Sequence, residues 1–303
     1  MPKKKSTKRT IGFIGLGLMG QAFSKNLIAD GHRLVGTDVL AGARRKFKRL
    51  GGEALESPRD VAEAAEVVFI SVPNSKISLQ TARGKNGYLA CAPELSPEVV
   101  LDTTTSDPED SKKHAELCRG KGIPYLDASV SGNSDYVANR EGLFLVGGNR
   151  KAYEKVAPLL ETMLSDQVYC GPSGSGAAMK VVVNYMTSMG RCVIAEGLRL
   201  GMRSGFGKDF LFDTLKRSRA GDSSGFHGHG GIMVRGRYSR PRSTLNVIRK
   251  DIGLGLRLAR RNGAVTPVGN ACAPLYREGA RAGNGELDSA AVYLSYLERE
   301  NKK

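Results

Sequence analysis

One segment of the chain gathers residue types suited to proton transfer. Gly174-Ser175-Gly176-Ala177-Ala178-Met179-Lys180-Val181-Val182-Val183-Asn184 puts glycines at a helix start, a lysine among apolar neighbours and an asparagine four residues on. Residues four apart share a helix face, so Lys180 and Asn184 are expected side by side. A lysine in apolar surroundings has its pKa drawn down toward neutrality, as a general acid/base requires. The bland alternative is a lysine that snorkels from a helix to solvent.

A second segment suits a nucleotide. Gly15-Leu16-Gly17-Leu18-Met19-Gly20 follows the apolar run Thr10–Ile14 and opens a helical stretch, the context that the dinucleotide fingerprint needs. Gly15 makes the tight turn, Gly17 admits the pyrophosphate, and Gly20 lets helix and strand pack closely. The helix N-terminus then faces the phosphates. Asp38 ends the next strand, about twenty residues on, where a carboxylate accepts hydrogen bonds from ribose hydroxyls and repels a 2′-phosphate. NAD is therefore the expected cofactor. Arg44 and Arg45 stand close by and soften that preference toward NADP.

These groups need a frame. Strands are expected over 10–14, 33–37, 67–72, 99–101, 123–127, 143–146 and 167–170, with helices over 18–30, 41–50, 108–119 and 151–163. Such alternation reads as an α/β fold, a Rossmann doubly wound parallel sheet. After Gly171-Pro172 only helical periodicity continues, broken by glycine-rich stretches at 205–207 and 225–231. The expected organisation is a basic tail over 1–9, a dinucleotide-binding domain over 10–172 and an all-α domain over 173–303 that begins with a long interdomain helix.

Composition narrows the class. The chain has 303 residues, 40% hydrophobic and 25% charged, as in ordinary globular proteins of two domains. No apolar run approaches the roughly 20 residues of a membrane span, and the start lacks the apolar core of a secretory signal. Five cysteines without a CxxC suggest free thiols in a reducing cytoplasm. His227-Gly228-His229 has no ligand beside it at metal spacing, so no metal is expected. The net charge is +16, and residues 199–261 hold 15 Lys and Arg against 4 Asp and Glu. That field attracts anions such as a dinucleotide or a carboxylate substrate. Nucleic acid is a less favoured partner, because no nucleic-acid-binding motif accompanies the charge.

Five ordered motifs carry a resemblance. Gly12–Gly20, Ser71-Val72-Pro73, Asp102-Thr103-Thr104-Thr105-Ser106-Asp107-Pro108, Leu126-Asp127-Ala128-Ser129-Val130-Ser131-Gly132 and Gly174–Asn184 resemble those of the β-hydroxyacid dehydrogenases, such as 3-hydroxyisobutyrate dehydrogenase and tartronate semialdehyde reductase. The resemblance covers nearly all of residues 10–300. It implies an NAD-dependent oxidoreductase acting on a small anionic β-hydroxy acid or its semialdehyde. Lys180 would be the general acid/base and Asn184 a substrate ligand. Ser131, Gly132 and Asn133 would form the turn that binds the substrate carboxylate. Thr105 would lie beside the nicotinamide, Val72-Pro73 under the adenosine side, and Lys250 would reach the cofactor. This chain departs from the family at Asn133, where glycine is usual, and at Ser129, where proline is common. Both changes point to a substrate with additional polar groups. A homodimer or homotetramer, paired through the long helix, is implied by resemblance alone. Two other readings stay open. One is an imine reductase-like NADP enzyme on the same fold; the other is a non-catalytic, chromatin-associated dinucleotide-binding protein.

Overall fold

A computed structural model describes residues 8–302; Lys3, Lys4 and Lys5 of the expected basic tail lie outside the described residues. Contacts divide the chain into two compact units that part between Lys180 and Val181.

The first unit alternates strand and helix: β1 (Thr10–Ile14), α1 (Leu18–Ala29), β2 (Arg33–Thr37), α2 (Ala41–Arg49), β3 (Glu53–Ala54), α3 (Pro58–Ala64), β4 (Val67–Ile70), α4 (Ser75–Ala82), β5 (Val99–Asp102), α5 (Pro108–Arg119), β6 (Tyr125–Ser131), α6 (Ser134–Ala138), β7 (Leu143–Gly148), α7 (Arg150–Met163) and β8 (Asp166–Gly171). The strands form one sheet in the order β3-β2-β1-β4-β5-β6-β7-β8. β4 reads Val-Val-Phe-Ile and is buried throughout, as a strand covered on both faces must be. Its alternation sorts the two faces. Val67 and Phe69 join one core with Phe13, Phe23 and Leu160, while Val68 and Ile70 join the other with Val61, Tyr88 and Cys118.

β1 through β6 pair in parallel, so the C-terminal ends of β1, β4, β5 and β6 share one edge of the sheet. The strand order reverses beside β1, which makes that edge the crevice where open α/β sheets bind ligands. The sheet is not parallel throughout. β7 runs antiparallel to β6, with Ser131 opposite Leu143, and β8 is parallel to β7. Eleven residues, five of them in α6, separate β6 from β7, short of the dozen or more that the crossover of a parallel pair requires. The 14-residue α7 provides one for β8.

The second unit is helical. The long α8 (Ser175–Arg203) enters it, followed by α9 (Lys208–Arg217), α10 (Gly231–Arg235), α11 (Leu245–Arg261), α12 (Pro267–Arg281) and α13 (Val292–Glu300). Tyr185 packs where α11 and α12 lack side chains. A Cβ at Gly255 would stand 2.2 Å from its ring, and one at Gly269 would stand 1.6 Å from its hydroxyl. Residues Phe226–Gly230, expected as a glycine-rich loop, form a turn of π-helix instead. No described helix is long and apolar enough to cross a membrane, and the five cysteines are free thiols.

Candidate active site

The glycine loop is shaped by steric demand. Gly15 has φ +98°, and a Cβ there would lie 2.2 Å from the Ser71 carbonyl oxygen. A Cβ on Gly20 would lie 2.4 Å from the Gly15 carbonyl, whereas one on Gly17 would meet nothing within 4 Å. The first and third glycines thus hold β1, β4 and α1 together, and the second leaves an open approach to the helix end. Gly17 caps α1 without a side-chain acceptor, and no acidic residue stands in the first turn. The first-turn amides of Leu18, Met19 and Gly20 therefore suit an anion. A dinucleotide pyrophosphate fits this cradle.

Asp38 braces the same loop. Its Oδ2 accepts the Leu16 amide at 2.7 Å, and its Oδ1 accepts the Leu40 amide at 2.8 Å. Arg44 donates to the Asp38 carbonyl. An ionised carboxylate offers about four lone-pair sites, so these bonds leave capacity for ribose hydroxyls.

The loops after β4 and β5 are tied to each other. Thr104 Oγ1 accepts the Val72 amide at 3.3 Å, and Asp102 Oδ1 accepts the Thr104 amide at 2.9 Å. Beneath them Asp102 Oδ2 accepts from the Tyr125 hydroxyl at 2.9 Å and from Ser78. His114 lies beyond, 2.7 Å from the Tyr88 hydroxyl. Burial lowers the His114 pKa and raises those of Tyr88 and Tyr125, so the network rests with these groups uncharged at neutral pH. Ser129 gains a definite task here. Its buried hydroxyl donates to the Thr104 carbonyl at 3.2 Å, a bond that proline at this position could not make. Val72-Pro73, Thr105 and Ser131 accordingly gather at one sheet edge with the glycine loop.

The turn after β6 also starts a helix. Gly132 has φ +153°, a conformation that side chains disfavour. Asn133 is the N-cap of α6, and its Oδ1 accepts the amides of Asp135 at 2.9 Å and Tyr136 at 3.1 Å. The asparagine oxygen is thus occupied in starting a helix, which accounts for this residue type without reference to a substrate.

Lys180 lies in α8 with 8% of its surface exposed. In the second unit, Asn184 Nδ2 donates to Asp251 Oδ2 at 2.8 Å, and Lys250 Nζ lies 3.2 Å from Asp251 Oδ1. The lysine contact is an ion pair by distance that lacks hydrogen-bond geometry. Asp251, which links two of the expected site residues, was not singled out in the sequence. It had a signal: it is an acid on the buried stripe Leu245, Ile248, Ile252 and Gly255 of α11. An open cleft lined by Arg119, Tyr125, Asn149 and Ser173 lies at the opposite end of β6 and contains none of these groups. Among the described residues no cluster of metal ligands occurs.

Comparison with known proteins gives matches over nearly the whole chain. Residues 10–197 match the family described as the NAD binding domain of 6-phosphogluconate dehydrogenase. Residues 174–296 match the one described as NAD-binding of NADP-dependent 3-hydroxyisobutyrate dehydrogenase. The mitochondrial 3-hydroxyisobutyrate dehydrogenase of Rattus norvegicus is 31% identical over 301 residues, covering 97% of this chain and 89% of its own. The NAD-dependent L-serine dehydrogenase of Pseudomonas aeruginosa is 31% identical over 290 residues, covering 94% and 96%. A solved 3-hydroxyisobutyrate dehydrogenase of Mycobacterium tuberculosis with L-serine superposes with a TM-score of 0.83 at 26% identity, covering 96% of this chain and 99% of that one. With a glycine cradle for a dinucleotide at the sheet edge and both family matches spanning the two units, the chain belongs to the NAD(P)-dependent β-hydroxyacid dehydrogenases, the family of 3-hydroxyisobutyrate dehydrogenase.

Proposed function

We propose that the protein interconverts a small β-hydroxy acid and its semialdehyde with NAD, using Lys180 as general acid/base. The observation that carries this reading is a lysine only 8% exposed on the helix that follows the dinucleotide-binding sheet. A largely buried amine stands out of bulk water, where it can exchange a proton with a bound hydroxyl group. When bound, the dinucleotide supplies the hydride acceptor for oxidation and the donor for reduction. In oxidation Lys180 Nζ takes the proton of the substrate hydroxyl as the carbonyl forms. In reduction its ammonium donates that proton back and polarises the carbonyl. Ser131 Oγ and the backbone amides of Gly132 and Asn133 hold the substrate carboxylate. Asn184, its amide oriented by Asp251, hydrogen-bonds the substrate, and Lys250 neutralises anionic charge nearby. Asp38 accepts the ribose hydroxyls, which favours NAD over NADP. The names of the relatives favour 3-hydroxyisobutyrate, L-serine or an acid of similar size. The exposed apolar row Val182, Met186, Val193 and Leu200 along α8 suits pairing with a second copy of the chain. A solution mass of one chain would refute that pairing.

The test is a spectrophotometric panel of 3-hydroxyisobutyrate, L-serine, glycerate, 3-hydroxypropionate and threonate with NAD or NADP. Turnover with NAD is expected for at least one acid. Lys180→Ala should lower kcat by about three orders of magnitude or more while NAD still binds. Unchanged turnover in that variant would remove the role given to Lys180, and better turnover with NADP would remove the one given to Asp38.

A further inference from the structure

The position of Lys180 depends on how the first turn of α8 is held, and that turn is anchored on the sheet by one side chain. Asp127, in the middle of β6, is 1% exposed. Its Oδ1 accepts the Gly174 amide and its Oδ2 accepts the Ala177 amide, both at 2.8 Å. These are N-terminal donors that a helix cannot satisfy internally, and a carboxylate there also complements the helix dipole. The anchor is on a different strand, some fifty residues earlier in the chain, so it fixes the helix against the sheet and not merely against its own loop.

The surrounding backbone leaves no slack. A Cβ on Gly176 would lie 2.4 Å from the Asp127 carbonyl and 2.5 Å from that of Leu145. A Cβ on Gly147, which faces Asp127 across the antiparallel pair, would lie 2.6 Å from the Gly176 amide and 2.8 Å from the Asp127 carboxylate. Two glycines thus let the helix start press against β6 and β7, and the carboxylate locks it there. Lys180 follows Ala177 by three residues, less than one turn of about 5.4 Å rise. A rotation or slide of the first turn is passed directly to its Cα.

We propose that Asp127 is a positioning residue for the reaction, clasping the start of α8 onto β6 so that Lys180 stands where proton transfer requires it. The proposal rests on the role given to Lys180 above. It assigns Asp127 no contact with substrate or cofactor.

The test uses the full chain and the isosteric Asp127→Asn, which keeps one acceptor and turns an amide group toward the other N–H donor. Asp127→Glu is the second variant; it keeps the charge but pushes the turn outward by a methylene. Two readouts are taken wherever NAD affinity stays within about twofold of wild type, which reports a folded nucleotide-binding unit. The first is turnover of 3-hydroxyisobutyrate with NAD, where kcat should fall about 10- to 100-fold with the primary deuterium isotope effect raised. The second is the rate of reductive methylation of Lys180 by formaldehyde and cyanoborohydride, followed by peptide mass spectrometry. It should change at least about fivefold, while that of Lys113 on α5 does not. Lower melting temperature with both readouts unchanged means a purely structural clasp and overturns the proposal. If wild type oxidises none of the panel acids, the proposed function fails, and the methylation rates alone decide on Asp127.

Discussion

The two units hold their candidate functional groups by different means. In the first, side chains are tied to backbone: Asp38 to the Leu16 amide, Thr104 to the Val72 amide, Ser129 to the Thr104 carbonyl and Asp127 to the start of α8. In the second, side chains are tied to side chains, with Asp251 set between Asn184 and Lys250. A tie to backbone fixes the path of the chain itself and tolerates few residue types. A tie between side chains sits on helices that form for other reasons, and its loss leaves those helices in place. The first unit therefore concentrates its constraints in short motifs, and the second spreads them over distant residues.

Paired variants would break this contrast if it is wrong. Gly15→Ala forces a left-handed φ and a clash with the Ser71 carbonyl. It is expected to abolish NAD binding, read by fluorescence titration, and to destabilise the first unit by several kcal/mol. Asp251→Ala in the second unit is the smaller perturbation. It should lower kcat/KM about 10- to 100-fold and change NAD affinity much less. Equal loss of NAD binding in the two variants would erase the distinction.

Acidity sharpens the same contrast. Burial, opposed by the Gly174 and Ala177 amides, pushes the Asp127 carboxyl up to about 6. Its folded pKa then exceeds the unfolded one, so the folded state holds this proton more tightly. The associated stability is complete below about 4 and lost as pH rises through 6. His229 does the reverse. Burial, helped by Arg191 and Arg242 and opposed by Asp288, lowers its pKa to about 4. Its stability is complete above about 6.5 and lost as pH falls through 4. Each change is worth roughly 2–3 kcal/mol. The contrast is read from protection factors, variant against wild type: on acidification from pH 7 to 5, Asp127→Asn should remove a gain in protection of the first unit and His229→Gln a loss in the second. A change of the same sign in the two variants would contradict the opposed signs.

The legibility of the sequence follows the same division. The β1–loop–α1 unit was readable because only glycine satisfies its turn and close approaches. The start of α5 was readable because Asp107 accepts the Glu109 amide ahead of Pro108. The reversed direction of β7 was not readable, since an apolar run has no arrow and direction is set by the length of the connection. Phe226–Gly230 read as a loop because its glycines lower helix propensity, yet Phe226 is anchored in the helical core. Asn133 reads as a departure from the family's glycine, and its part in capping α6 was hidden because α6 is too short to show a helical period. Asp251 was hidden because a polar residue on an apolar stripe becomes visible only once the stripe is drawn.

Asp127, Ser129 and Ser131 alternate along β6 and so project from the same face, opposite Leu126, Ala128 and Val130 in the core. One strand thus sets the helix bearing Lys180, the Thr104 loop and the turn at Ser131-Gly132 at a common spacing. A slip of one residue would turn all three away together. For an engineer, this makes β6 the part to leave untouched. Changes are more safely made beyond Ser131, where the chain has left the sheet and a change in one group no longer moves the other two.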